Sequence, residues 1–124
     1  MAKKILVVED DEEILTMVDM VLQSYGYETI LCRDSSHVSE IAGKEKPDLI
    51  ILDIVMPQLD GFSVNQKLKQ DPVTKSIPVI VTSGKGKMRS LFGLLESSGI
   101  YAFLEKPYTV EMLLKKINEA IGDK

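Results

Sequence analysis

The chain is expected to fold as a doubly wound α/β domain, a five-stranded parallel sheet with helices on both faces. Three observations lead there. Strand-like and helix-like patterns alternate five times within 124 residues. The third strand pattern, LIIL, is apolar without alternation, as befits a strand covered on both sides. The links between patterns are short, and regular βα alternation implies parallel strands joined by right-handed crossovers. Pattern alone leaves the strand order open.

Each element has its own warrant. KILVV (4–8) is the first strand, and in the helix after it Ile14, Met17, Val18, Val21 and Leu22 recur at helical spacing. Gly26 stops that helix, since glycine readily takes the left-handed conformation found just past helix ends. YETILC (27–32) reads as the second strand. A helix over 35–44 then places Val38, Ile41 and Ala42 on one face. The third strand leads to a helix over 61–70 and a turn marked by Asp71-Pro72. The fourth strand begins near Ile77. A helix over 87–98 carries Met88, Leu91, Phe92 and Leu95. Gly93 inside it costs about 1 kcal/mol relative to alanine. YAFLE (101–105) is the fifth strand, and Thr109 caps a last helix with Val110, Leu113, Leu114, Ile117 and Ile121 inward.

Composition narrows the classes of function. Fifteen basic and 19 acidic residues give a net charge of −4, which argues against direct nucleic-acid binding without a basic footprint. No apolar run approaches the roughly 20 residues of a membrane span, so no membrane insertion is expected. MAKK leads straight into a strand and does not resemble a secretory leader. The lone Cys32 fits a reducing compartment, and a cytoplasmic location is expected. At the end of a buried strand it reads as an inert core thiol. A single domain over residues 1–124, without an output domain, is the simplest organisation.

Four of the five strand patterns end on residues suited to phosphoryl chemistry: Glu9 and Asp10, Asp53, Thr82 and Lys106. In a parallel sheet the carboxyl ends of the strands share one edge, where such folds place their ligands. Acids at a helix start cap it and complement its dipole, worth about 0.3–1 kcal/mol each, and that suffices for Asp11. It leaves Asp53 unexplained, because a carboxylate closing an apolar strand is costly to bury without a partner. A hard cation held by Asp10 and Asp53 would remove their mutual repulsion, and Mg²⁺ takes one or two carboxylates while keeping waters. Thr82 alone would be an ordinary β-former, and Lys106 alone a solvated lysine. The Lys106-Pro107 bond permits a cis form at about 0.5–1 kcal/mol, which would turn the amine into the crevice. Pro57, Asp60 and Gly61 shape the loop after Asp53. His37 lies away from the crevice and reads as incidental.

ILVVEDD, LIILDIVMPQLDG, IPVIVTS and FLEKPY together resemble, in order, the motifs of the response-regulator receiver family, and the resemblance covers essentially the whole chain. It implies a flavodoxin-like sheet of order 2-1-3-4-5. It implies Asp53 as phosphoacceptor, with Mg²⁺ held by Asp10, Asp53, the backbone carbonyl of Val55 and, through water, Glu9. Thr82, the Ser83 amide and Lys106 would bind the phosphoryl group, and Phe103 would be the aromatic switch residue. Pro57, Gly61 and Pro107 would be structural at the site. The implied role is a phosphorelay step with a histidine kinase or phosphotransfer protein as donor. An output protein would dock on the fourth helix, fifth strand and fifth helix, and the domain would be a monomer or weak dimer. It would not be an enzyme beyond its own phosphorylation and dephosphorylation.

Departures from the family pattern carry expectations too. Ser83 stands where alanine is commoner. Val55 and Gly84 lie two residues beyond Asp53 and Thr82, and neither can position a hydrolytic water, so phosphate loss is expected to be slow. Gly84 and Gly86, with Lys85, Lys87 and Arg89, make a positive loop that is either simply solvated or a surface for an acidic partner. Competing functions fit less well. A phosphatase with an aspartyl-phosphate would want an acid at position 55, where valine stands. A flavin or nucleotide binder would want a Gly/Ser/Thr-rich first loop, and here that loop is acidic. A degenerate receiver serving as a constitutive scaffold, or a receiver cut from a larger regulator, are the remaining alternatives.

Overall fold

The computed structural model describes residues 2–54, 61–84 and 99–122, and of residues 61 and 62 only the backbone. Five strands, β1 (Lys4–Val8), β2 (Glu28–Cys32), β3 (Leu49–Asp53), β4 (Val79–Ser83) and β5 (Ala102–Glu105), form one sheet. Its order is β2-β1-β3-β4-β5 and every pairing is parallel. Around it lie α1 (Glu12–Ser24), α2 (Val38–Glu45), α3 (Gly61–Gln70) and a C-terminal helix (Val110–Ile121). The expected helix over 87–98 and the basic loop before it lie outside the described residues.

Alternation along the strands divides the core into two layers. Leu6, Val8, Ile50, Leu52, Val79 and Val81 pack with Val38 and Ala42 of α2 and Val64 and Leu68 of α3. The intervening residues Ile5, Val7, Leu49, Ile51, Ile80 and Leu104 pack with Leu15, Val18 and Leu22 of α1 and Leu113 and Ile117 of the C-terminal helix. β3 and β4 are buried at every position, which explains their unalternating sequences. Asp53 and Thr82 share the parity of the second set, so both emerge on the α1 side of the sheet.

Helix ends follow their sequence signals. The Asp11 side chain accepts from the amides of Glu13 and Ile14, capping α1. Gly26, at φ +87°, ends it; the Tyr27 amide donates to the Leu22 carbonyl and the Gly26 amide to that of Gln23, the paired closure that a left-handed residue permits. Thr109 accepts from the Met112 amide at 3.0 Å. Replacing Thr109 with alanine is expected to cost about 1 kcal/mol. Urea unfolding should show a lower midpoint with an unchanged slope.

The structure corrects some expectations. Met17 of α1 is 43% exposed, and Leu15 takes its place in the core. Val18 and Leu22 are buried as expected and Ile14 packs partly buried against the same layer, so the inward face is that of 14, 17, 18, 21 and 22 turned slightly toward Leu15. Val110 is likewise more exposed than expected, at 38%, whereas Leu113 and Ile117 are buried. The second helix opens as a short 3₁₀ turn, Ser35–His37, because the Asp34 carboxylate caps Ser36 before the α-helical hydrogen bonding starts at Val38. β4 starts at Val79, two residues beyond Ile77. The turn before it extends to there, held by Thr74 Oγ1 donating to the Leu68 carbonyl at 2.7 Å.

Candidate functional site

The sheet order creates the site. The order reverses between β1 and β3, and in open α/β sheets the crevice beyond the strand ends at such a switch point receives ligands. Glu9 and Asp10 follow β1 directly, and Asp53 ends β3. One carboxylate oxygen from each of these three lies within 4.8 Å of the others. Glu9 and Asp53 are buried, 3% and 4% exposed, whereas Asp10 keeps solvent contact. Glu9 is held by its own amide donating to the Cys32 carbonyl at 3.0 Å. Its Oε2 accepts from the Asp11 amide at 3.2 Å.

Lys106 reaches this cluster from β5, two strands away from β3. Its amide donates to the Ser83 carbonyl at 2.7 Å, extending the β4–β5 ladder past Glu105. It shares the parity of Leu104, so its side chain leaves on the same face as Thr82 and Asp53. Nζ lies 2.8 Å from Glu9 Oε1 and 3.2 Å from Asp53 Oδ2. The Lys106-Pro107 peptide bond is cis. Thr82 is the register partner of Asp53 and is buried, and its carbonyl accepts from the Ile54 amide at 3.1 Å. Ser83 falls on the opposite face, with its hydroxyl donating to the Gly84 carbonyl at 3.2 Å. Phe103 pairs in register with Val81 and packs, partly buried, on the α2–α3 layer.

Charge is unbalanced in this cleft. Burial pushes the Glu9 carboxyl above its ordinary value; the hydrogen bond from Lys106 opposes that, and the charge of Asp53 adds to it. For Lys106, burial alone would lower the ammonium, but its hydrogen bond to Glu9 and the charges of Asp53 and Glu9 outweigh that and raise it. One firmly protonated lysine therefore faces three acids. Burial and the neighbouring Glu9 push the Tyr108 phenol up to about 12, so it stays neutral. An apolar recess of about 420 Å³, lined by Ile14, Met17, Pro107 and Tyr108, opens beside Lys106.

The structure thus brings together Glu9, Asp10, Asp53, Thr82 and Lys106, all named from the sequence. Val55 and Pro57 lie outside the described residues. Gly61 opens α3. His37 is exposed and pairs with Asp34 at 3.4 Å, apart from the cleft. Cys32 is buried, with its thiol pushed up chiefly by burial, as an inert core residue should be. Sequence reading missed Arg33, whose guanidinium donates to the Asp10 carbonyl at 3.2 Å. Its signal, a cation just past the second strand, acquires meaning only once β2 is known to lie beside β1.

A flavodoxin-like sheet with an oxygen-rich acidic cleft at its switch point defines the class of domain. The chain belongs to the family described as "Response regulator receiver domain", whose profile matches residues 5–118. It is 37% identical over 118 residues to the response regulator PleD of Caulobacter vibrioides, covering 94% of this chain and 26% of PleD. The chain therefore spans about a quarter of that relative's length. It is 31% identical over 123 residues to the polar-differentiation response regulator DivK of Brucella anthropi, covering 99% of both. Among solved structures it resembles the chemotaxis response regulator CheY4 of Vibrio cholerae. The TM-score is 0.89 at 27% identity, over 98% of this chain and 100% of that one. The family is a signalling family of two-component pathways.

Proposed function

We propose that the chain accepts a phosphoryl group on Asp53 from a histidine kinase or phosphotransfer protein, and that the acyl phosphate alters a partner-binding surface. The observation that carries this reading is a buried carboxylate at a strand end, 3.2 Å from a lysine ammonium and within reach of two further acids. In the transfer, an Asp53 oxygen attacks phosphorus, the P–N bond of the donor phosphoimidazole breaks with its electron pair going to nitrogen, and the imidazole, already protonated on its other ring nitrogen, leaves as the neutral ring. Such transfers need positioning and charge neutralisation more than covalent help. Lys106 is placed to cover one phosphoryl oxygen and the Thr82 hydroxyl another. The recess beside Lys106 offers apolar walls for the donor's side chains.

The acids fit Mg²⁺. Three carboxylates converge with one cation between them, a donor set of oxygens only, and a hard divalent ion matches that chemistry. Asp10 and Asp53 would hold it directly and Glu9 through water, with the Val55 carbonyl as the further ligand proposed from the sequence. When bound, the ion supplies positive charge to the phosphoryl oxygens. Because the carboxyl of Glu9 sits above its ordinary value, protons compete for the site at a higher pH than at a free glutamate. Mg²⁺ affinity is therefore expected to fall as the medium is acidified, starting at a higher pH than it would for an ordinary glutamate ligand. Titration calorimetry should show this, and Glu9→Gln should flatten the dependence. An unflattened profile would place the competing proton elsewhere.

Energetics permit a switch. Moving an equilibrium from 1:99 to 99:1 takes about 5.5 kcal/mol, and three hydrogen bonds to a charged phosphoryl group, at about 1.5–3 kcal/mol each, supply that. Thr82 is proposed to move toward the phosphoryl group and Phe103 to turn inward on β5. The reading is tested by incubating the protein with acetyl phosphate, with and without Mg²⁺. Gain of a single phosphoryl group, only with Mg²⁺ present, supports acceptor chemistry. A folded protein that gains none would favour a constitutive scaffold. Because neither Val55 nor Gly84 can position a water, the adduct should outlast seconds after the donor is removed.

A further inference from the structure

The loop from β1 to α1 and the first turn of α1 together carry five consecutive acids, Glu9 to Glu13. Such a run repels itself and needs an external tie to hold one shape. Arg33 supplies one from the neighbouring strand. Its Nη2 donates to the main-chain carbonyl of Asp10 at 3.2 Å, and its Nη1 lies 3.7 Å from Glu12 Oε2. The sheet brings it there. Val8 and Cys32 are register partners, and the Glu9 amide still donates to the Cys32 carbonyl one residue past the strand. Arg33 therefore follows β2 alongside the loop that follows β1.

The acid beside it in its own loop is engaged elsewhere. The Asp34 carboxylate accepts from the amide and hydroxyl of Ser36 and faces His37. Lys106, on the opposite side of the cleft, is engaged with Glu9 and Asp53. The approach to Glu12 is long, and both side chains are more than half exposed, so that pair contributes little. The bond to the Asp10 carbonyl is the one that matters.

We propose that Arg33 is a positioning residue for the divalent-cation site, fixing from outside the backbone that carries Asp10. This rests on the Mg²⁺ reading above. Two effects of Arg33 on the cation oppose each other. Its charge repels a cation, so a purely electrostatic role makes Mg²⁺ bind tighter when the charge is removed. Its tie to the loop favours the cation, so loss of the tie makes Mg²⁺ bind more weakly. Outer groups that orient metal ligands are typically worth about 10–100-fold in affinity. For this solvent-exposed contact the expected loss is about threefold to tenfold, at or below the lower end of that range.

The test compares wild type, Arg33→Gln and Arg33→Lys by Mg²⁺ titration calorimetry, metal-free melting and amide exchange in the metal-free state. Arg33→Gln should bind Mg²⁺ more weakly by that factor, with nearly unchanged metal-free melting and faster exchange at the Asp11 and Glu13 amides. Arg33→Lys, which keeps the charge without the planar fork, should recover part of the affinity. Equal or tighter binding by Arg33→Gln overturns the proposal, as does weaker binding matched by a general loss of stability. If wild type itself binds no Mg²⁺, the cation reading fails and this inference with it. Normal wild-type binding with an unaffected Arg33→Gln rejects Arg33 alone.

Discussion

Asp53→Asn is expected to abolish the phosphoryl adduct completely while leaving the fold intact. Asparagine keeps the shape of aspartate, so the buried end of β3 is not opened, and Lys106 remains held by Glu9 at 2.8 Å. What is lost is the nucleophile. An amide oxygen carries no full negative charge, and its attack on phosphorus would leave no stable acyl phosphate. Neither other acid can substitute. Glu9 is already hydrogen-bonded to Lys106 and to the Asp11 amide, and Asp10 lies on the solvent side of the cluster. Intact mass after treatment with acetyl phosphate and Mg²⁺ reads the result directly, and circular dichroism reports the fold. An adduct of undiminished yield in the variant would remove Asp53 from its proposed role.

Lys106→Met is expected to destabilise the metal-free protein by about 2–3 kcal/mol. Removing one partner from a buried ion pair leaves an uncompensated charge and typically costs about 3–5 kcal/mol; the value here is set lower because Lys106 keeps some solvent contact, at 20% side-chain exposure. Methionine preserves the apolar stem, so the loss reports charge more than packing. The pH dependence has a definite sign. The raised Lys106 contributes stability at neutral pH that is lost only as pH rises through its elevated value above 10.5. The raised Glu9 has the same sign but titrates at the acid end. Its contribution is complete below its ordinary value of 4.5 and is lost as pH rises through its elevated one. The deficit of Lys106→Met should therefore be full near neutrality and shrink as the medium is acidified and Glu9 takes up a proton. Mg²⁺ should restore part of it. Urea unfolding of both proteins at several pH values, with and without Mg²⁺, checks this; a deficit independent of pH would point to lost packing.

Much of the fold was legible because its signals are local. Unbroken apolar runs marked β3 and β4, Gly26 and Thr109 marked helix ends, and the family motifs supplied an order that pattern left open. The errors have a physical source. Spacing alone places Met17 in the α1 stripe because methionine, isoleucine and valine look alike by hydropathy. Only the sheet beneath decides which line of the helix is covered, and beside the expected Val18 and Leu22 it covers Leu15 and leaves Met17 exposed. The site followed the same division. Glu9, Asp10, Asp53, Thr82 and Lys106 were legible because each ends a strand run. That Lys106 would rest on Glu9 as well as Asp53 was not, since Glu9 and Lys106 meet only across three intervening strand spacings. Arg33 was invisible for the same reason: its partner is a carbonyl on a neighbouring strand's loop, and main-chain acceptors leave no mark on the sequence.

The central claim is that Asp53 carries the phosphoryl group. Reduction of the phosphorylated protein with borohydride converts an aspartyl phosphate to homoserine, and peptide mass mapping then locates the converted residue. The account predicts conversion at Asp53, dependent on Mg²⁺ and absent without phosphodonor. Conversion at Asp10 or Asp11 instead, or a phosphoryl group found only on a hydroxyl such as that of Thr82, would contradict it.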